Sequence, residues 1–207
     1  MKKNFLYIAL FLLINSNVLA EENIIRKLIK INDVGLGDTA LRLMDIKDLN
    51  DEILRRKDYY NFLKDSDRYS EIYLYKGDKK NLIDIKKYDA ITVFVSSGDP
   101  NFTIRAVGGK IRFDNNFNGC LNFKSKEIDK YKELFIGFKR NDEISIYPLD
   151  KSGKSKRNNT FFSSDYFYIE FSCSYWTKEI KDKFNYKDAY TFSISETDIY
   201  NWMKDHK

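Results

Sequence analysis

The spacing of apolar residues switches from a helical period to a period of two at Glu71, and no other feature of this chain narrows its fold as much. Before that point Ile24, Ile25, Leu28 and Ile31, and then Leu49, Ile53, Leu54, Tyr60 and Leu63, recur at intervals of three and four. Two helices are therefore predicted, over 22–31 and 48–64, with a short one over 39–45. Asp38 and Asp48 are the expected N-caps. Beyond Glu71 apolar and aromatic residues alternate with polar ones, which predicts strands over 71–76, 82–85, 90–96, 102–107, 110–113, 120–123, 133–138, 143–147, 166–175 and 190–195. Turn-forming residues lie between them, among them Gly77-Asp78, Gly98-Asp99-Pro100, Gly108-Gly109 and Asn141-Asp142. Links this short join antiparallel neighbours, because parallel strands need long crossovers. A last helical spacing, Ile199, Trp202 and Met203, predicts a closing helix.

The expected class is α+β and mainly antiparallel β. A sandwich-like or open-barrel sheet of about eight to ten short strands follows an N-terminal helical segment and carries a short C-terminal helix. Residues 1–20 form a leader, 21–67 the helical segment and 71–207 the β domain.

Lys2 and Lys3, an apolar run from Phe5 to Ile14, and a close at Val18-Leu19-Ala20 make residues 1–20 a secretory signal peptide. The run is about ten residues, half of the ~20 that a membrane-spanning helix needs. No integral membrane segment is expected after the leader is removed, and the chain is expected to be exported to a periplasm or to the extracellular medium. Without the leader the formal charge is 34 minus 31, or +3, with Lys and Arg mixed among Asp and Glu throughout. Such mixing gives no nucleic-acid footprint. The densest basic stretch, Lys151 to Arg157, reads as a solvated loop.

Two cysteines, Cys120 and Cys173, can pair in an oxidising compartment. One pattern opposes the pairing. If 120–123 is a strand, Cys120 shares a face with Asn122 and Lys124, whereas Cys173 shares one with Phe171 and Ile169. The alternative is two free thiols.

The single histidine, His206, sits where chains fray, which disfavours Ser-His and Cys-His catalysis. No metal-ligand spacing occurs, so no metal site and no cofactor is expected. Carboxylate-dependent hydrolysis needs only two acids a few ångström apart, and no pair of acids stands out. The positive signal is aromatic. Tyr73 and Tyr75 share one strand face, Tyr166 and Tyr168 another, and Trp176 follows the long strand. These five are the candidate binding residues, because tyrosine and tryptophan on a wet sheet face serve protein contacts.

Residues 102–176 distantly resemble small periplasmic immunity-type proteins of interbacterial toxin systems. Ile104-Arg-Ala-Val-Gly-Gly-Lys-Ile111, Gly119-Cys120-Leu121, Asp142-Glu-Ile-Ser-Ile-Tyr147 and the strand bearing Cys173 carry the likeness. A likeness without a diagnostic motif assigns no family. The expectation from the residues is an exported non-catalytic protein that recognises another protein. A surface structural or adhesive component comes next, and a cell-wall or polysaccharide hydrolase last.

Overall fold

A computed structural model describes residues 23–59, 61–64 and 66–206 of the chain. The predicted leader lies outside the described residues. Helix α1 covers residues 23–28, and a single 3-10 turn, Ala40–Arg42, is followed by α2 (Ile46–Tyr59) and α3 (Asn61–Lys64). Then come β1 (Tyr69–Tyr75), β2 (Ala90–Ser96), β3 (Ile104–Arg112), α4 (Phe117–Tyr131), β4 (Lys139–Ile146), β5 (Lys156–Ser163), β6 (Phe167–Tyr175), α5 (Lys178–Phe184), β7 (Ala189–Glu196) and α6 (Thr197–His206). All seven strands join one sheet in the order β1-β2-β3-β7-β6-β5-β4, and every neighbouring pair is antiparallel. The α+β class holds, with seven strands in place of eight to ten. Among the described residues no helix is long and apolar enough to cross a membrane.

The differences have identifiable causes. Residues 120–123 are not a strand but part of α4, which starts where the Asn116 side-chain oxygen accepts the Gly119 N–H at 2.9 Å. The helix buries Cys120, Lys124, Glu127 and Ile128 on one stripe. Two charges inside that stripe hid its period. Lys124 Nζ donates to the Asn158 carbonyl and to Thr160 Oγ1, each at 3.2 Å, while Glu127 pairs with Lys87 at 2.5 Å and also with Lys130. In this frame Cys120 points at the sheet and is bonded to Cys173, with 6.0 Å between their Cα atoms. The opposing argument vanishes with the strand that produced it.

Gly108 and Gly109 are not a hairpin turn. They lie inside β3, which runs unbroken through the two segments predicted at 102–107 and 110–113. The Tyr88 ring presses on the strand so closely that a Cβ at Gly109 would come within 2.5 Å of it, so only glycine fits. The strand expected over 133–138 is a 3-10 turn, Lys132–Phe135, that drives the Phe135 ring to 4.4 Å from that of Phe162; Gly137 then reverses the chain at φ +92. Residues 82–85 form no strand. β5 escaped notice because Lys156-Arg-Asn-Asn-Thr160 is polar, and it begins inside the stretch read as a loop. The α2 cap is Asp45, whose carboxylate takes the Lys47 and Asp48 N–H groups, not Asp48.

Register assigns the two sheet faces. Ile72, Leu74, Ile91, Val93, Val107, Ile169, Phe171, Cys173, Tyr190, Phe192 and Ile194 line up on one, where they form a single apolar cluster with Ile25, Ile29, Leu43 and Leu49 of the N-terminal segment and with Cys120, Ile128 and Phe135. The other face carries Glu71, Tyr73, Thr92, Gly108, Lys110, Thr191, Ser193 and Glu170. It is covered at one end, where Ile199 and Trp202 of α6 pack on Leu63, Tyr69 and Ala106.

Candidate functional site

The polar sheet face is the floor of a groove. Small side chains, Thr92, Gly108, Thr191 and Ser193, keep the floor low, and the walls rise from α2, α6 and the segment after α5. Two cavities of about 590 Å³ and about 460 Å³ adjoin along Arg56, Tyr73, Lys110 and Thr191.

Rings stand along the walls. At the β1 end Tyr73 and Tyr75 lie 4.7 Å apart, and the Arg56 guanidinium sits 5.0 Å from the Tyr73 ring centre and 5.3 Å from that of Tyr59. Arg56 is buried against Glu71 at 2.6 Å, which fixes it as part of the wall. On the α6 side Tyr168 stacks on Tyr200. Burial of the Tyr168 hydroxyl and its hydrogen bond with Tyr200 raise its pKa. Across the floor Trp176 lies 4.8 Å from Tyr186 and 5.1 Å from Tyr147. Asp188, itself buried, holds this corner by accepting the Trp176 and Asn115 N–H groups and pairing with Lys181 at 2.7 Å. Asn185 ends α5 in the left-handed region at φ 53, which an Asn tolerates, and so turns Tyr186 toward the groove. The hydrogen bond with Tyr147 pushes the Tyr186 pKa up to about 12.

Lys110 stands in the middle of the floor, half-buried. Among the described residues nothing forms a hydrogen bond or ion pair with its ammonium group. Burial lowers its pKa, and the charges of Arg112 and Arg157 push the same way. The surrounding carboxylates are already engaged: Glu71 with Arg56, Glu170 with Arg157 at 2.8 Å, and Asp89 with the Arg112 N–H at 2.7 Å. Arg112 and Lys187 add positive charge at the same end. The groove therefore combines flat rings with cationic charge that the protein leaves unneutralised.

Four of the five residues singled out from sequence meet here: Tyr73, Tyr75, Tyr168 and Trp176 all line the groove. Tyr166, exposed beside them in sequence, does not. Sequence reasoning missed Lys110, Arg112, Tyr186 and Tyr200. Lys110 was hidden because Gly108-Gly109 reads as a turn, which puts it at the start of a separate strand and not on the face it shares with Gly108 and Thr92.

Acid-base chemistry is poorly served. Glu71 on β1 and Glu170 on β6 are four strand spacings apart, about 19 Å, and Asp89 is about 17 Å from Glu71 along the strand direction. Paired carboxylates in glycoside hydrolysis stand roughly 5 to 10 Å apart. His206 Nδ1 lies 2.7 Å from the Trp202 carbonyl and its ring stacks on that indole, outside the groove. Among the described residues no group of three or more His, Cys, Asp and Glu side chains is placed to hold a metal ion. Comparison with protein-family models, with curated proteins and with solved structures finds no match to this chain.

Proposed function

We propose that this chain is an exported, non-catalytic binding protein that recognises another protein, and that the groove on the polar sheet face holds an extended acidic segment of that partner. The observation that carries the reading is the unpaired, half-buried Lys110 ammonium set among Tyr73, Tyr168 and Trp176. A carboxylate brought to it replaces the solvation that burial removed, and the surrounding rings supply rigid contact area with few rotatable bonds. The wide separation of the groove carboxylates supports binding over hydrolysis.

The test is affinity capture from the native exported fraction with the wild-type protein and with Lys110→Glu side by side. One protein retained in stoichiometric amount by the wild type, and held about tenfold or more weakly by the variant, is the expected result. Equal retention by both forms refutes the groove as the site. Release of glycan fragments with no protein retained refutes the binding reading altogether.

A further inference from the structure

Among the described residues no strand pairs with the outer edge of β4. All eight residues, Lys139 to Ile146, are exposed. Tyr147 N–H donates to the Ser155 carbonyl at 2.9 Å, and Ser163 Oγ donates to the Lys139 carbonyl at 3.5 Å, so the odd-numbered residues direct their backbone groups at β5. The peptide groups of Arg140, Asp142, Ile144 and Ile146 point the other way, out of the sheet.

We propose that two copies of this chain pair antiparallel through β4, with the two-fold axis at Asn141, and merge their sheets into one. Outward-facing residues must meet outward-facing residues, so the axis has to pass through a residue. With Asn141 on the axis, Arg140 of each copy faces Asp142 of the other and Lys139 faces Glu143, opposite charges at every position. Four backbone hydrogen bonds form at the two Arg140–Asp142 pairings. An axis at Arg140, Asp142 or Glu143 instead sets that charge against its own twin. Extending the favoured register by one residue beyond the strand places Phe138 across from Ile144, which is otherwise 62% exposed. Charged residues on an edge normally repel other strands. Here their order makes them selective for themselves, as an isologous contact requires.

The contact closes at two copies. The opposite edge, β1, has outward peptide groups engaged at three of its residues: Glu52 accepts the Tyr73 N–H, Ser66 Oγ bonds both N–H and carbonyl of Tyr69, and Asn81 donates to the Tyr75 carbonyl. A strand adding there would have to displace these bonds, which argues against a polymerising adhesive role.

Sedimentation of the purified protein across a concentration series tests the proposal, together with oxidation of Asn141→Cys. On the axis the two Asn141 residues form a non-hydrogen-bonded pair with Cα atoms about 4.5 Å apart, close enough for a disulfide. Glu143→Cys leaves its twin about 13 Å away along the strand and serves as the control. The expected results are a dimer, locked by Asn141→Cys and not by Glu143→Cys. Arg140→Asp weakens it about tenfold or more, and adding Asp142→Arg restores it. A monomer at every concentration overturns the proposal, as does a dimer that Arg140→Asp leaves intact and Asn141→Cys does not lock. A foreign strand captured on β4 while the chain stays monomeric also overturns it.

Discussion

The two edges of the sheet are finished differently. At β1 the chain spends its own groups: α2 lies against the strand, its Glu52 carboxylate satisfies a peptide N–H, and its Arg56 is buried in an ion pair with Glu71 on that strand. At β4, among the described residues, no element lies alongside, and the strand pairs with β5 alone. The half of the sheet that ends in β4 gains its rigidity one layer back, where the Cys120–Cys173 bond ties α4 to β6. A buried charge pair thus secures one edge, while a covalent staple supports the other from behind and leaves its rim free.

The harshest way to break this contrast is to remove the staple. Cys120→Ser with Cys173→Ser opens a separation of 53 residues and is expected to destabilise by about 4 kcal/mol in guanidinium unfolding. A loss under about 1 kcal/mol shows that packing alone holds α4 in place. Next is Glu71→Ala, which removes the carboxylate paired with the buried Arg56 guanidinium. The expected loss is about 3 kcal/mol by the same measurement, and a neutral result means that Arg56 escapes to water.

A smaller effect comes from Lys124, whose pKa burial lowers to about 8 from 10.5. Below pH 8 the folded state carries a disfavoured ammonium; above it the folded state releases the proton while the unfolded chain still holds it, so stability rises with pH. Burial raises the pKa values of Tyr88 and Tyr190, which oppose that gain above about pH 10. Between pH 8 and 10 the wild type should therefore gain stability relative to Lys124→Met, and parallel pH profiles would remove Lys124 as the cause. The smallest effect sharpens the comparison from the other side. Arg140→Ala, on the exposed rim and ion-paired with Asp142, is expected to change monomer stability by less than about 0.5 kcal/mol.

Strands β2, β6 and β7 were legible because their alternation is complete: one face of each meets the apolar cluster and the other the groove. The hidden elements have polar residues where a core should show. Lys124 and Glu127 interrupt the buried stripe of α4, and Asn159 and Thr160 are buried polar groups of β5, with Asn159 accepting from Ser172 of β6 at 2.7 Å. Periodicity counts hydrophobicity, so it cannot see a helix or strand whose buried positions are hydrogen-bonded instead. The Gly108-Gly109 pair misled for another reason: the contact that requires glycine at Gly109 is made by Tyr88, twenty-one residues earlier. The rings of the candidate site could be found one at a time in sequence. Their assembly could not, since Arg56, Lys110, Tyr168 and Tyr186 converge from four separate parts of the chain.

The position of β7 has a consequence for how the molecule is made. It follows every other strand in the chain yet occupies the middle of the sheet, with β3 on one side and β6 on the other. Until residues 189–196 have left the ribosome, the polypeptide holds two three-stranded fragments that share no seam, and both floor and walls of the groove are incomplete. Tertiary structure must therefore arrive late in biosynthesis and nearly all at once.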